Sequence, residues 1–210
     1  GSPAEDSYSV ESNLERFAPL HTVAEALIEH LVTTYDVTVT EGSEVVAGLR
    51  EPIPPEQAVV RAVRLEPTRG GAAPLTLVLT DYPLVRAEAG VLGSFVYPSC
   101  GCDACDETWE SAASEMEWQV FAIVGGGYTE TIGKSHRPRI RFERGMGLVR
   151  GMGQTVSTRL EAVDGSQMIG GESRAQDVPA EQLAEAQERL TSLAAASVDG
   201  NWLPWSRRSA

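Results

Sequence analysis

The spacing of apolar positions changes several times along this chain. Across residues 20–35, Val23, Leu27 and Leu31 recur with Ala24 and Ile28 at steps of three and four. That period predicts a helix burying Leu27, Ile28 and Leu31. Thr22, with Glu25 three residues on, has the form of a capping box at its start. Alternation then takes over. Residues 36–40, 58–65, 75–80 and 90–97 read as short strands, parted by a proline-bearing loop at 51–56 and a glycine-bearing turn at 68–74. Short strands with turn signals between them predict an antiparallel meander.

Helical spacing returns beyond residue 107, where Trp109, Ala112, Met116, Val120 and Ile123 mark a single face. Gly125-Gly126-Gly127 stops that helix, because glycine reaches the left-handed cap conformation at little cost. Residues 139–143 and 157–163 alternate as strands, and 165–173 reads as a polar, glycine-rich surface loop. Pro179 opens a last helix carrying Leu183, Ala186, Leu190 and Leu193. Asp199-Gly200 then turns the chain into a tail with Trp202 and Trp205, whose large apolar area favours folding back onto the core over binding a partner. Residues 1–13 are small and polar and are expected to be loose. The order of elements predicts one α+β domain over residues 14–210, with about three helices packed on a mainly antiparallel sheet. Strict β-α-β alternation is missing, which argues against a doubly wound nucleotide-binding fold.

Composition sharpens this in three ways. At 210 residues and 42% hydrophobic, the chain can bury a core without disulfides. No run approaches the ~20 apolar residues needed to span a bilayer, so no membrane partner is expected. The formal net charge of −13 argues against nucleic acid as a partner, because phosphate binding needs a basic footprint. Three cysteines, an odd number, fall within six residues; a secreted disulfide framework would spread an even number along the chain, so a reducing, cytoplasmic setting is expected. The opening Gly1-Ser2, with no Met, looks like a cloning remnant, which is compatible with a targeting segment having been removed.

Those cysteines form the most informative segment, Cys100-Gly101-Cys102-Asp103-Ala104-Cys105-Asp106. A C-x-x-C step brings two sulfurs to one soft ion, and the C-x-C step can bring a third. Zn²⁺ favours such thiolates and takes four ligands, the fourth drawn from Asp103, Asp106, one of His21, His30 or His136, or water. The acidic neighbours Asp103, Asp106, Glu107 and Glu110 raise thiol pKa values and so disfavour a nucleophile, which wants cationic neighbours. A bound dication would neutralise the same acids. Four readings stand beside each other: packing, with Asp103 or Asp106 capping the following helix; a metal site of Cys100, Cys102, Cys105, Asp103 and Asp106; a reversible disulfide; and a nucleophilic cysteine.

A second feature is a local reversal of charge. Lys134, Arg137, Arg139, Arg141, Arg144, Arg150 and Arg159 lie close together with one acid, Glu143, among them. Lys134, Arg137, Arg139 and Arg141 are the candidate anion-binding residues, since alternate arginines on a strand share a face and grip phosphate or carboxylate in pairs. The plainer reading is pairing with the surplus acids. Gly133-Lys134-Ser135 ends like a phosphate-binding loop, but its first glycine is out of register.

The chain resembles an actinobacterial family of uncharacterised proteins. The resemblance is carried by the Cys-Gly-Cys-Asp-Ala-Cys-Asp-Glu run at 100–107, and by Glu15-Arg16-Phe17, Pro19-Leu20, Tyr35-Asp36-Val37, Glu41-Gly42 and residues 202–208. It implies a single domain and carries no activity. No complete catalytic constellation can be assembled by spacing. The favoured reading is a soluble, non-enzymatic binding or interaction protein with a structural cysteine cluster that suits zinc, its partner a protein or a small anionic ligand. The alternatives are a thiol-redox or metal-dependent enzyme centred on Cys100–Cys105, and an anion-binding module using residues 137–150.

Overall fold

Pro19 begins the first long helix, α1 (Pro19–Thr34), because its fixed φ suits the first turn and its missing N–H has no helical partner there. A short 3-10 turn at Leu14–Phe17 leads directly into it. The helix therefore starts a turn before Thr22, which lies inside it and caps nothing. The computed structural model describes residues 10–11, 13–134, 139–143, 147–151, 154–196 and 201–209; the side chains of 134, 139–143, 147–151 and 194–196 lie outside that description.

Five strands follow the helix in an antiparallel meander, spatially in chain order: β1 (Val37–Glu41), β2 (Val59–Pro67), β3 (Leu75–Thr80), β4 (Val85–Ala89) and β5 (Gly93–Tyr97). The strand expected at 90–97 begins only at Gly93, because Gly90 (φ 58°) opens the turn that joins β4 to β5. A five-residue helix, α2 (Ser43–Ala47), interrupts the path from β1 to β2. All six residues of β3 are buried, so both of its faces are covered. On one face Leu65, Leu75, Leu77, Leu79 and Ala87 join the main core with α1 and α3 (Trp109–Val124); on the other, Ala62 and Val78 meet Val45 of α2.

The cap of α3 is neither Asp103 nor Asp106. Thr108 Oγ1 accepts from the Ser111 amide at 3.2 Å, and Ser111 Oγ accepts from the Thr108 amide at 3.1 Å. This closes a reciprocal capping box. Beyond α3 come β6 (Tyr128–Lys134), β7 (Arg139–Glu143), β8 (Gly147–Gly151), β9 (Gln154–Glu161), β10 (Met168–Arg174) and α4 (Ala180–Ala196). β10, β9 and β6 form a three-stranded antiparallel sheet, and β7 pairs with β8. The surface loop expected at 165–173 is thus largely strand. Every residue of β10 is exposed, so it carries no alternation, and backbone pairing to β9 alone defines it.

The tail folds back. Trp202 and Trp205 are buried, with Trp205 Nε1 donating to the Ala73 carbonyl at 2.9 Å and Leu203 bridging to Ala72. Within the described residues the chain is α+β, and no helix is long and apolar enough to cross a membrane.

Candidate metal centre

The cysteine segment spans the gap between β5 and α3, and hydrogen bonds rather than regular structure shape it. The Glu107 carboxylate accepts from the Ser99 amide (2.9 Å), the Ser99 hydroxyl (2.8 Å) and the Cys100 amide (2.9 Å), closing the loop on itself. The Cys105 amide donates to the Cys102 carbonyl at 3.3 Å, forming the tight turn that a C-x-x-C step needs. Arg16, at the base of α1, donates to the Gly101 and Cys102 carbonyls at 3.0 and 3.3 Å and lies 3.7 Å from the Asp103 carboxylate. Its guanidinium also stacks on the Phe17 ring, 4.4 Å from the centroid. Val10 and Glu11, at the end of the segment expected to be loose, make contacts here. The Val10 carbonyl accepts from the Asp103 amide at 2.8 Å, and Glu11 accepts from the Tyr82 hydroxyl at 2.5 Å.

Held in this way, the three sulfurs converge. Cys100, Cys102 and Cys105 Sγ all lie within 4.8 Å of one another. Cys100 and Cys102 Sγ are 3.1 Å apart, and the Cys102 amide points to Cys100 Sγ at 3.5 Å. All three cysteines are free thiols, with Cys102 buried and its neighbours half-buried. Around a tetrahedral Zn²⁺ with Zn–S bonds near 2.3 Å, sulfurs sit about 3.8 Å apart, so shifts of about an ångström would seat an ion here.

The thiols do not ionise independently. Hydrogen bonds from Cys100, and then from Cys105, favour a thiolate at Cys102 and lower its pKa. Cys105 is pushed up to about 12, chiefly by its hydrogen bonds to Cys100 and Cys102, then by burial and by the neighbouring negative charge. The cluster accepts a first negative charge readily and resists a second. A cation among the sulfurs removes that resistance.

Other predicted ligands fall outside this group. Within the described residues, neither the Asp103 nor the Asp106 carboxylate joins the mutually close set. His21 and His30 lie on α1, and the His30 ring packs edge-on against Phe121 at 5.7 Å. His136 lies outside the described residues. Of the candidate anion-binding residues, Lys134 ends β6, and Arg139 and Arg141 hold alternate positions on β7; Arg137 lies outside the described residues. Arg159, near the end of the same basic run, pairs with Glu161 at 2.6 Å. Gly133 belongs to strand β6, so its backbone does not form a phosphate-cradling loop.

The sequence pattern missed a set of buried charges elsewhere. Glu130 and Glu88 are 2% and 9% exposed, and Arg50 Nε lies 3.7 Å from Glu88. Glu130 stands between two threonines and Glu88 between two alanines, contexts that give no sign of burial. Only their tertiary partners mark them as interior.

No curated protein and no solved structure matches this chain. A family model described as a family of unknown function matches residues 1–209, and a match of that extent places the chain in the DUF6226 family.

Proposed function

We propose that Cys100, Cys102 and Cys105 are a three-thiolate site for a soft divalent cation, Zn²⁺, within a binding domain that is not itself an enzyme. The convergence of three sulfurs within 4.8 Å carries this reading. Hydrogen bonds to Glu107 and Arg16 hold the loop independently of any ion, so the sulfurs are preorganised. The fourth position falls to water or to the exposed Asp106 carboxylate, while Asp103 faces Arg16. A reducing compartment, the cytoplasm, keeps such thiols available.

Metal analysis of protein purified without added zinc tests the proposal. The expected result is one zinc per chain, lost in Cys102→Ser and Cys105→Ser. Zinc-free protein that takes up no Zn²⁺ on titration while its thiols remain reduced overturns it.

One observation favours a second reading. The 3.1 Å approach of Cys100 and Cys102, with the Cys102 thiol lowered, suits thiol–disulfide exchange. In that case the Cys102 thiolate attacks an external disulfide, one of its thiols leaves, and Cys100 displaces the second as a Cys100–Cys102 disulfide forms. Consumption of a small aromatic disulfide, with two thiols lost per chain and none in Cys100→Ser at the second step, supports exchange over metal binding.

A further inference from the structure

A second site lies on the other side of the five-stranded sheet, away from the main core. Strand register sets Thr40 opposite Arg64, Arg64 opposite Thr76, Thr76 opposite Glu88, and Glu88 opposite Ser94. Directly opposed residues share a face, so these five form one polar row across the whole sheet. Two residues along on the same face, Ala62 and Val78 are apolar and lie against Val45 of α2. α4 approaches from beyond, with Gln182 Nε2 donating to the Arg50 carbonyl at 3.0 Å. Sheet, α2 and α4 together enclose a cavity of about 460 Å³, lined by Arg64, Thr76, Glu88, Glu185 and Arg189 among others.

Folding alone does not call for polar side chains there. Thr76 is 3% exposed and Glu88 9%, and a buried polar group costs free energy unless it is partnered. Two of the cations have partners: Arg50 lies by Glu88 at 3.7 Å, and Arg64 meets Glu66 at 2.7 Å. Among the described residues, Arg189 has no ion pair, nor have Glu44 and Glu185, and the Thr76 hydroxyl makes no hydrogen bond. The half-buried Arg189 and, at the open side, the exposed Glu44 and Glu185 therefore line the same space without an ion pair among the described residues, with a free hydroxyl on its floor.

We propose that this cavity binds a small zwitterion of amino-acid type, its carboxylate on Arg189 and Arg64, its ammonium group toward Glu185 and Glu44, and Thr76 hydrogen-bonded to it. A guest carrying both charges satisfies both sets of groups, and guanidinium–carboxylate pairing supplies orientation. The volume falls within the ~300–1,000 Å³ typical of small-molecule sites and leaves room for a side chain. The site is independent of the cysteine cluster.

The experiment titrates the full chain with the standard free L-amino acids by calorimetry and by amide NMR shifts, then with N-acetylated and amidated forms of the best binder. At least one free amino acid should saturate a single site, and blocking either terminus should weaken binding about tenfold or more. Arg189→Gln and Glu185→Gln lie on α4 and should weaken binding to a similar degree without changing the melting temperature. Thr76→Val, which keeps the volume, should weaken it too. An absence of saturable binding by every free amino acid overturns the proposal, as does equal binding of the doubly blocked form or binding unchanged in both α4 variants.

Discussion

The Glu130 carboxylate accepts hydrogen bonds from the Val91 and Leu92 amides, the Tyr128 hydroxyl and the Trp202 indole, at 2.6 to 3.1 Å. One side chain thus ties the turn between β4 and β5 to β6 and to the tail. Glu130→Gln keeps the shape but presents an amide donor to groups that are themselves donors. Bonds to a charged acceptor contribute about 1.5–3 kcal/mol each, so a loss of about 2–4 kcal/mol is expected in urea unfolding, with little change in slope. The thiols make a prediction in pH. In metal-free protein the folded-state pKa of Cys102 lies below the ordinary thiol value, so the folded state binds fewer protons there and stability rises with pH through that lower range. Cys105 is shifted the other way, to about 12. Between the ordinary thiol pKa, near 8.5, and that value, the unfolded chain loses a proton that the folded chain keeps, so stability falls as pH rises. Metal-free protein should show a stability maximum near pH 8.5 that flattens in the Cys102→Ser, Cys105→Ser double variant. Zinc affinity should instead climb with pH, because binding displaces thiol protons.

Among the elements, α3 depends on a local device. Thr108→Ala removes the acceptor for the Ser111 amide and should cost about 1 kcal/mol, while Thr108→Asp should retain most of the stability; thermal unfolding of both variants measures it. Elements with a one-sided apolar face were legible in the sequence. α1, α3 and α4 were read from steps of three and four, and β3 from its leucines. The pattern missed the short α2 and strands β4, β6, β8 and β10. β4 does alternate Val85, Ala87 and Ala89 with Arg86 and Glu88, but it is only five residues long and two of its three apolar positions are alanine, so its apolar side is weak. β6 sets Glu130 between Tyr128 and Ile132 on its inward side, which interrupts the apolar side. β10 is exposed on both sides and therefore has no apolar side. The cysteine cluster was legible because its three sulfurs are close in sequence. The polar row was not, because its members come from five separate strands and only the register aligns them.

Across the whole molecule, the tail acts as a late staple. Trp205 reaches the Ala73 carbonyl and packs edge-on against Tyr35 at 5.8 Å, while Tyr35 bridges to Arg207. The tail thus touches both the start of β1 and the turn before β3. Trp205→Ala should cost about 3–5 kcal/mol in chemical denaturation, a cavity-forming loss that Trp205→Phe partly restores. The net charge of −13 is also unevenly placed. Acid surrounds the thiols, and among the described residues Arg16 is a cation that the fold brings to their loop. That one arginine sets the loop carbonyls, the Asp103 carboxylate and the base of α1 together.

The same Glu130 oxygen that accepts the Val91 amide also accepts the Trp202 indole N–H. Val91 stands at the rim of the sheet-face cavity. Trp202 is therefore a built-in optical reporter: a guest that shifts the Val91 turn alters the field at the indole, and its emission colour and quantum yield follow occupancy without any added dye.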